Sequence, residues 1–420
     1  DSFSVSVSSN NTTPTIHWGD GETTKVESKA GSQSFFHRYP DEGFYQIEIT
    51  DCTEVTLCGA TYDSYLALWS IGNSKVNGLS FQDRKVIKYV GDVFKNDQDR
   101  ISFNRLFYNC QKLIYADISS LRKNTKATDL MYMFFYCQKL PLIDLSPLEN
   151  MTEVTQLNGL LNNCSSIESI DLSPLAGMTK VKTLSQFLAS CEKLKSVDLT
   201  PLAGMTQVTD LGELFYSCES LTSIDLSPLS GMTLNTSLYR MFGYCSNLET
   251  IDLTPLAGMT KVTTLNSLFY YCEKLRYIDF TPLHGMPDIT MLTYIAYGCR
   301  SLQTVKGESF GNVLTGGTYD MFNGDYGLKK IHLLSSIDTI GSNAYYGCNG
   351  LKYIIASKIE PQTISSNTLL NTGYGPIYVP DESVDAYKTA TNWSALAARI
   401  KPMSDFATDF PDEVLEEETV

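Results

Sequence analysis

Residues 181–207 read VKTLSQFLASCEKLKSVDLTPLAGMTQ. In this stretch Val181, Leu184, Leu188 and Cys191 stand three and four apart, the spacing of one helical face. Leu194 leads into Val197-Asp198-Leu199, where apolar and polar residues alternate with the period of a half-buried strand. Thr200-Pro201 then ends the strand, because proline has no N–H to give to a ladder. Gly204 supplies a loop position with unusual backbone freedom. The unit is predicted to be a short strand, a turn and a short helical return.

The phrase recurs. Cys110, Cys137, Cys164, Cys191, Cys218, Cys245, Cys272 and Cys299 each follow the last by 27 residues. Asp117, Asp144, Asp171, Asp198, Asp225, Asp252 and Asp279 keep the same step, as do prolines 147 to 282 and methionines 151 to 286. Four residue types locked to one period mark an internal repeat. A single unit cannot bury its apolar face, but stacked copies can, with Val197 and Leu199 covered by their equivalents. The expected fold is an α/β solenoid of the leucine-rich-repeat kind, a right-handed superhelix of 27-residue repeats. Its strands would form a parallel sheet on the concave face, with neighbours about 4.8 Å apart. Degenerate copies extend the array: Val86 and Tyr89 upstream, Met321-Phe322 to Leu333 with Asp325 in the cysteine column, and Tyr345 to Ile354 with Cys348. Roughly ten coils are expected between residues ~75 and ~370.

The ends read differently. Phe3 to Val7 and Tyr45 to Ile49 alternate as strands and Gly19-Asp20-Gly21 is a turn signal. Residues 1–51 are expected to be a β-rich cap, and 52–375 the solenoid, with 52–75 as its joint. Pro376 to Pro380 reads as a strand, and Tyr387, Trp393, Leu396 and Ile400 fall at helical spacings, giving a C-terminal cap over 376–403. Residues 404–420, acidic and poor in large apolar residues after Phe410, are expected to be a flexible tail.

Composition narrows the function. A net charge of −15 disfavours nucleic acid and anionic lipid, whose binding rests on Lys and Arg. No run of apolar residues is long enough to span a membrane as a helix. His17, His37, His284 and His332 are scattered along the chain, leaving little material for zinc or histidine acid–base chemistry. The chain opens at Asp1 without a leader, so a signal peptide is expected to have been removed or to lie outside the sequence.

Several columns carry candidate chemistry. The cysteines occupy an apolar position 27 residues apart, unlike zinc ligand pairs, and are expected to be packing thiols. Cys52 and Cys58 form the one close pair, where a bridge or free thiols are both open. The outward-facing aspartates should repel by about 3 kcal/mol per neighbouring pair at an effective dielectric of 20. They are expected either to accept hydrogen bonds at the Ser/Thr-Pro turn or to bind cations or a basic partner. Two residues earlier, Tyr115, Leu142, Ser169, Ser196, Ser223, Thr250, Tyr277 and Thr304 also face outward. With the aspartates they form a candidate binding face, aromatics near its ends suiting carbohydrate or peptide and small hydroxyls suiting tight packing. Tyr108, Tyr136, Tyr216, Tyr244, Tyr270, Tyr271, Tyr297, Tyr345 and Tyr346 flank the cysteines on the opposite side, as interface residues or as gap fillers. Asp20 and His37 read as a structural pair, with no nucleophile beside them.

The repeats resemble the BspA-like leucine-rich-repeat family of bacterial surface proteins. They carry its longer pattern through Asp279 and its shorter one in IDTIGSNAYYGCNGL, residues 337–351. Ile377 to Tyr387 resembles that family's C-terminal closure. Trp18-Gly19-Asp20-Gly21, His37-Arg38-Tyr39 and Gly43-Phe44-Tyr45 resemble a PKD-like module. The resemblance implies an exported protein, often lipid-anchored at the cell surface, associated with adhesion, and implies no catalytic residues or cofactor. The expectation is a monomeric, non-enzymatic binding protein for an extracellular protein or glycan; the alternative is a surface spacer without a ligand.

Overall fold

The computed structural model describes residues 2–8, 13–28, 32–38, 48–50, 54–58, 66–68, 81–83, 87–92, 94, 100–307, 317–333 and 337–413. The chain folds as two compact units, Asp1–Gln207 and Val208–Val420.

The first unit opens with strands β1 (Ser2–Ser8), β2 (Thr15–His17), β3 (Thr23–Lys25), β4 (Ser32–Arg38), β5 (Glu48–Thr50) and β6 (Glu54–Cys58). They pair antiparallel as two sheets, β4-β1-β6 and β3-β2-β5. Antiparallel pairing thus continues past residue 51 to Cys58. The pairing then changes to parallel: β7 (Leu66–Leu68), β8 (Ile87–Val90) and β9 (Tyr115–Ala116) lie side by side. Isolated parallel bridges carry the stack onward through Ser102, Asp129, Gln156 and Thr183. Phe107 stacks between Phe81 and Phe134 at 5.3 and 5.1 Å, all three buried.

The expected helical return is instead a succession of tight turns. In the coil around Cys245, Met241, Gly243, Cys245 and Leu248 each donate their N–H to the carbonyl three residues back. The alternate N–H groups of Arg240, Phe242 and Tyr244 donate to Asn266, Leu268 and Tyr270 of the next coil. An α-helix would consume every N–H internally, whereas here every second one ties coil to coil. The three-and-four apolar spacing still buries one face, because Leu238, Met241, Phe242 and Cys245 are all fully buried.

A second difference concerns the strand expected at Val197-Asp198-Leu199. Leu145, Leu172 and Leu199 already hold right-handed helical angles and open 3-10 turns at Ser146–Leu148, Ser173–Leu175 and Thr200–Leu202. The aspartate captures the N–H at the start of each turn, and the proline within it has none to offer a ladder. Val197 is consequently only half-buried, while Leu199 is buried as expected.

In the second unit the strands return as β10 (Tyr277–Asp279), β11 (Thr304–Lys306), β12 (Lys330–His332), β13 (Thr339–Ile340), β14 (Tyr353–Ile355), β15 (Thr363–Ile364), β16 (Ile377–Val379) and β17 (Ile400–Pro402). All their pairings are parallel, in sheets β10-β11, β12-β14-β16-β17 and β13-β15. The C-terminal cap forms over α1 (Val384–Thr389), with buried Tyr387 set edge-on to Trp393 at 4.8 Å. Trp393 Nε1 donates to the Gln362 carbonyl at 2.7 Å.

Residues 404–413 are not a flexible tail. They form a turn and α2 (Phe406–Asp409), with Phe406 buried among Tyr353, Ile355 and Tyr378. The Tyr378 hydroxyl donates to Asp409 at 2.6 Å and that of Tyr353 to Glu413 at 3.0 Å. Acidity and scarcity of apolar residues concealed a segment that two aromatic anchors, Phe406 and Phe410, are enough to dock.

Candidate binding surfaces

The face expected from the sequence is exposed within each unit. Tyr115, Leu142, Ser169 and Ser196 are accessible in the first, and Ser223, Thr250 and Tyr277 in the second. Leu142 is 65% exposed, Tyr115 47% and Tyr277 43%, a large apolar outlay for positions that small residues fill elsewhere.

The aspartates beside them are engaged locally. Oδ1 of Asp117, Asp144, Asp171 and Asp198 accepts the N–H of the residue two positions on, at 2.8–2.9 Å. Asp225, Asp252 and Asp279 do the same in the second unit. The Ser173 N–H and hydroxyl hold the Asp171 carboxyl below its ordinary pKa, against burial and the charge of Asp198. The Ser227 hydroxyl and N–H do the same for Asp225. The repulsion expected along the row is therefore offset at the turn that follows each member.

The cysteine column is buried. Cys245, Cys272 and Cys299 donate through Sγ to the carbonyls of Phe215, Phe242 and Phe269, each one coil back, at 3.0–3.1 Å. Cys137, Cys164 and Cys191 do likewise in the first unit. Burial pushes the thiol pKa values up, that of Cys191 to about 12. Among the described residues no three His, Cys, Asp or Glu side chains converge as a metal site. Cys52 and the Cys58 side chain lie outside what the structure describes.

Asp325 occupies this column between Cys299 and Cys348. It is fully buried, with no side-chain donor among the described residues against its carboxyl oxygens and only the backbone of Cys299 and Gly298 acting to lower its pKa. Burial pushes its pKa well up, and Cys299 adds to the rise.

A surface that the sequence marked only in part runs beside the cysteines. Two positions in each coil, five and one residues before the cysteine, hold a left-handed backbone. Asn109, Asn163, Gly298, Gly324 and Gly347 suit it. Tyr132, Tyr136, Tyr244, Tyr271 and Tyr294 adopt it as well, at φ of 54–61°. Arg105, Gln186, Ser190, Glu213, Ser217, Arg240 and Ser267 hold it too, so the coil itself sets these angles, at roughly 1–2 kcal/mol for each such side chain. In the first unit Arg105 lies over Tyr108 and Tyr132, and Tyr108 stacks on Phe135 at 4.8 Å. In the second, Tyr216, Tyr244, Tyr270, Tyr271, Tyr294 and Tyr297 form one connected set, with Tyr244 37% and Tyr294 38% exposed. Burial and the neighbouring phenols push the Tyr270 hydroxyl pKa to about 12. Sequence reasoning named most of the tyrosines but missed Tyr132, Tyr294, Phe135 and Arg105. At the position of Tyr132 and Tyr294 other copies place mostly polar residues, Gln186, Glu213, Arg240 and Ser267 among them, so the two tyrosines stand out in the alignment of the copies. Tyr345, grouped with them, is buried and stacks on Phe322 at 5.5 Å instead.

Asp20 and His37 are paired as expected. Their side chains meet at 2.6 Å, His37 stacks on Trp18 at 4.8 Å, and Asp20 also accepts the Glu22 N–H. Tyr39 and Gly43 to Tyr45 fall outside the described residues.

The profile of the BspA type leucine rich repeat region matches the chain in 6 copies, at residues 94–183, 162–289 and 266–391. No curated protein matches it. Among solved structures, a leucine-rich repeat protein from Bacteroides ovatus is 17% identical, covering 85% of this chain and 95% of its own, with a TM-score of 0.47. A leucine rich cell surface protein from Faecalibacterium prausnitzii is 16% identical over 82% of this chain and 93% of its own, at 0.43. An internalin C2 from Listeria monocytogenes is 25% identical over 41% of this chain and 63% of its own, at 0.26. Among the described residues no helix is long and apolar enough to cross a membrane.

Proposed function

The chain belongs to the BspA-type leucine-rich-repeat family, and on that premise we propose that it is an exported bacterial surface or secreted protein that binds an extracellular protein or glycan. Proteins of this kind are generally interaction scaffolds of bacterial surface type, and the comparisons identify no enzymatic family. The observation that carries the reading is the exposure of aromatic side chains in places where the coil itself has no need of them. Tyr277 stands between copies that have Thr250 and Thr304, Tyr115 and Leu142 stand where the central copies have Ser or Thr, and Tyr244 and Tyr271 where others have Asn, Ser or Gly. Side chains that add large amphipathic area at low entropic cost are the usual material of recognition surfaces.

The same proposal assigns the architecture. The repeats, 27 residues long, wind as a right-handed superhelix with their strands on the concave side. Residues 1–51 are a PKD-like β-rich cap, which β6 extends. Beyond β6 the coils run to residue 375, and 376–403 close the array, with α2 docked after them. The protein acts as a monomer and needs no cofactor. The row Asp117, Asp144, Asp171, Asp198, Asp225, Asp252 and Asp279 serves the turns, and the residues beside it serve recognition.

The test is a binding screen of the full chain against glycan and extracellular-matrix protein arrays, with and without calcium. Reproducible binding to either class supports the reading. Silence on both overturns it in favour of a spacer.

A further inference from the structure

The six tyrosines of the second unit make a surface whose chemistry can be read further. Tyr244 and Tyr271 stack in parallel at 5.4 Å and 6°, and Tyr270 and Tyr297 at 5.2 Å and 24°. Edge contacts join the two stacks, Tyr270 to Tyr271 at 4.8 Å and Tyr244 to Tyr270 at 5.3 Å. Tyr294 closes one side against Tyr270 and Tyr297, and Tyr216 the other against Tyr244. The backbone is shaped to hold these rings. A Cβ on Gly298 would come within 3.0 Å of the Tyr271 ring, and one on Gly243 within 3.2 Å of the Tyr216 ring.

Charges beside the rings are matched within the coil stack. Arg240 faces Glu213 at 3.9 Å and Arg300 faces Glu273 at 3.4 Å. Asp320, whose charge reaches the Tyr297 hydroxyl, accepts a hydrogen bond from Asn323 Nδ2 at 2.6 Å. What the surface offers a ligand is the exposed parts of Tyr244 and Tyr294, the edges and phenolic hydroxyls of the stacked rings, and a carboxylate–amide pair at one end. The cations Arg240 and Arg300 already face carboxylates, and an anionic partner would meet a chain of net charge −15.

We propose that this tyrosine surface binds an uncharged oligosaccharide. The inference deepens the binding-protein reading and rests on it. Sugar rings present C–H faces that pack on aromatic rings and hydroxyls that bond to carboxylate, amide and phenol groups. The step between stacked tyrosines, one per coil, is comparable to the advance of one sugar residue along an extended oligosaccharide. Successive phenol edges and hydroxyls would therefore meet successive sugars. Side chains that hold a left-handed backbone are kept in place by the stacking itself, so the site is organised before a ligand arrives.

The test uses the full chain and a panel of uncharged hexasaccharides, β-1,4-linked glucose and N-acetylglucosamine and α-linked glucose and mannose, with sulfated counterparts. Binding is read by titration calorimetry at low and high salt. The variant is Tyr244→Asn with Tyr271→Asn, because Asn occupies the left-handed position in other coils and the fold is retained or stabilised. The expected result is salt-insensitive binding of at least one uncharged hexasaccharide, weakened tenfold or more in the variant at an unchanged or higher Tm. Binding that the variant leaves intact overturns the proposal. So does binding of sulfated sugars alone, or none of the panel. If the panel is silent while a matrix protein binds, the glycan inference falls and the binding-protein reading stands; if that protein's binding is lost in the variant, the tyrosines are a protein site. Silence to sugars and proteins alike overturns both.

Discussion

The Cys272 thiol donates to the Phe242 carbonyl of the preceding coil at 3.0 Å, and the same carbonyl accepts the Cys245 N–H within its own coil. One oxygen thereby serves two coils, which explains a residue that is both small and a donor at this position. Replacing Cys272 by Ala removes a bond worth about 1 kcal/mol and some buried sulfur area, so a loss of about 1–2 kcal/mol is expected in urea unfolding. The buried thiols at positions 110 to 299 and 348 are expected to resist a thiol reagent in the native Cys52→Ser, Cys58→Ser protein and to react on denaturation.

Asp325 interrupts that column with a fully buried carboxyl that no cation or side-chain donor among the described residues faces. Its pKa is raised in the folded state, so the folded protein holds the proton more tightly than the unfolded one. Stability therefore falls as pH rises from the unfolded value of 3.8 through the folded one. Asp325→Cys should raise Tm by several degrees at pH 7, and the gain should shrink as the pH is lowered toward 3.8. A gain independent of pH would refute the assignment.

The aspartates of the Ser/Thr-Pro turns titrate with the opposite sign. The pKa values of Asp171 and Asp225 are lowered in the folded state. Their stabilisation is present above the unfolded value and is lost as pH falls through the folded one. Asp225→Ala should lower Tm modestly at pH 7, converge with the parent in acid, and leave calcium and ligand binding unchanged. Unchanged Tm with lost binding would transfer the row from structure to recognition.

Gly298 sits at φ +75° under the Tyr271 ring. Gly298→Ala should cost about 1–2 kcal/mol through backbone strain alone and displace the ring, weakening binding at the tyrosine surface. Combining it with Tyr271→Asn should recover part of the stability but none of the binding, which a double-mutant cycle in urea and calorimetry would register.

Phe406 is 1% exposed between Tyr353 and Tyr378. Phe406→Ala should destabilise the second unit by about 3–5 kcal/mol, and truncation after Met403 should do at least as much. A truncated chain of unchanged Tm would restore the flexible tail expected from composition.

The repeat and its buried columns were legible because burial is periodic: Leu238, Met241, Phe242 and Cys245 announce an inward face whatever backbone carries them. The form of that backbone was not legible. A three-and-four spacing fits both a helix and a chain of turns, and only the partners of Arg240, Phe242 and Tyr244 distinguish them. The aspartate bond to the turn was one of the two readings the sequence left open, since Asp followed by Ser/Thr-Pro is local chemistry. The tyrosine surface was half-seen, because the left-handed backbone at Tyr244 and Tyr271 depends on hydrogen bonds to the next coil.

The most direct measurement is the amide hydrogen-exchange footprint of the full chain with and without the partner that the arrays yield. The account predicts added protection centred on residues 239–298, around the stacked tyrosines, and none in a Tyr244→Asn, Tyr271→Asn protein. Protection that leaves residues 239–271 unchanged would contradict it.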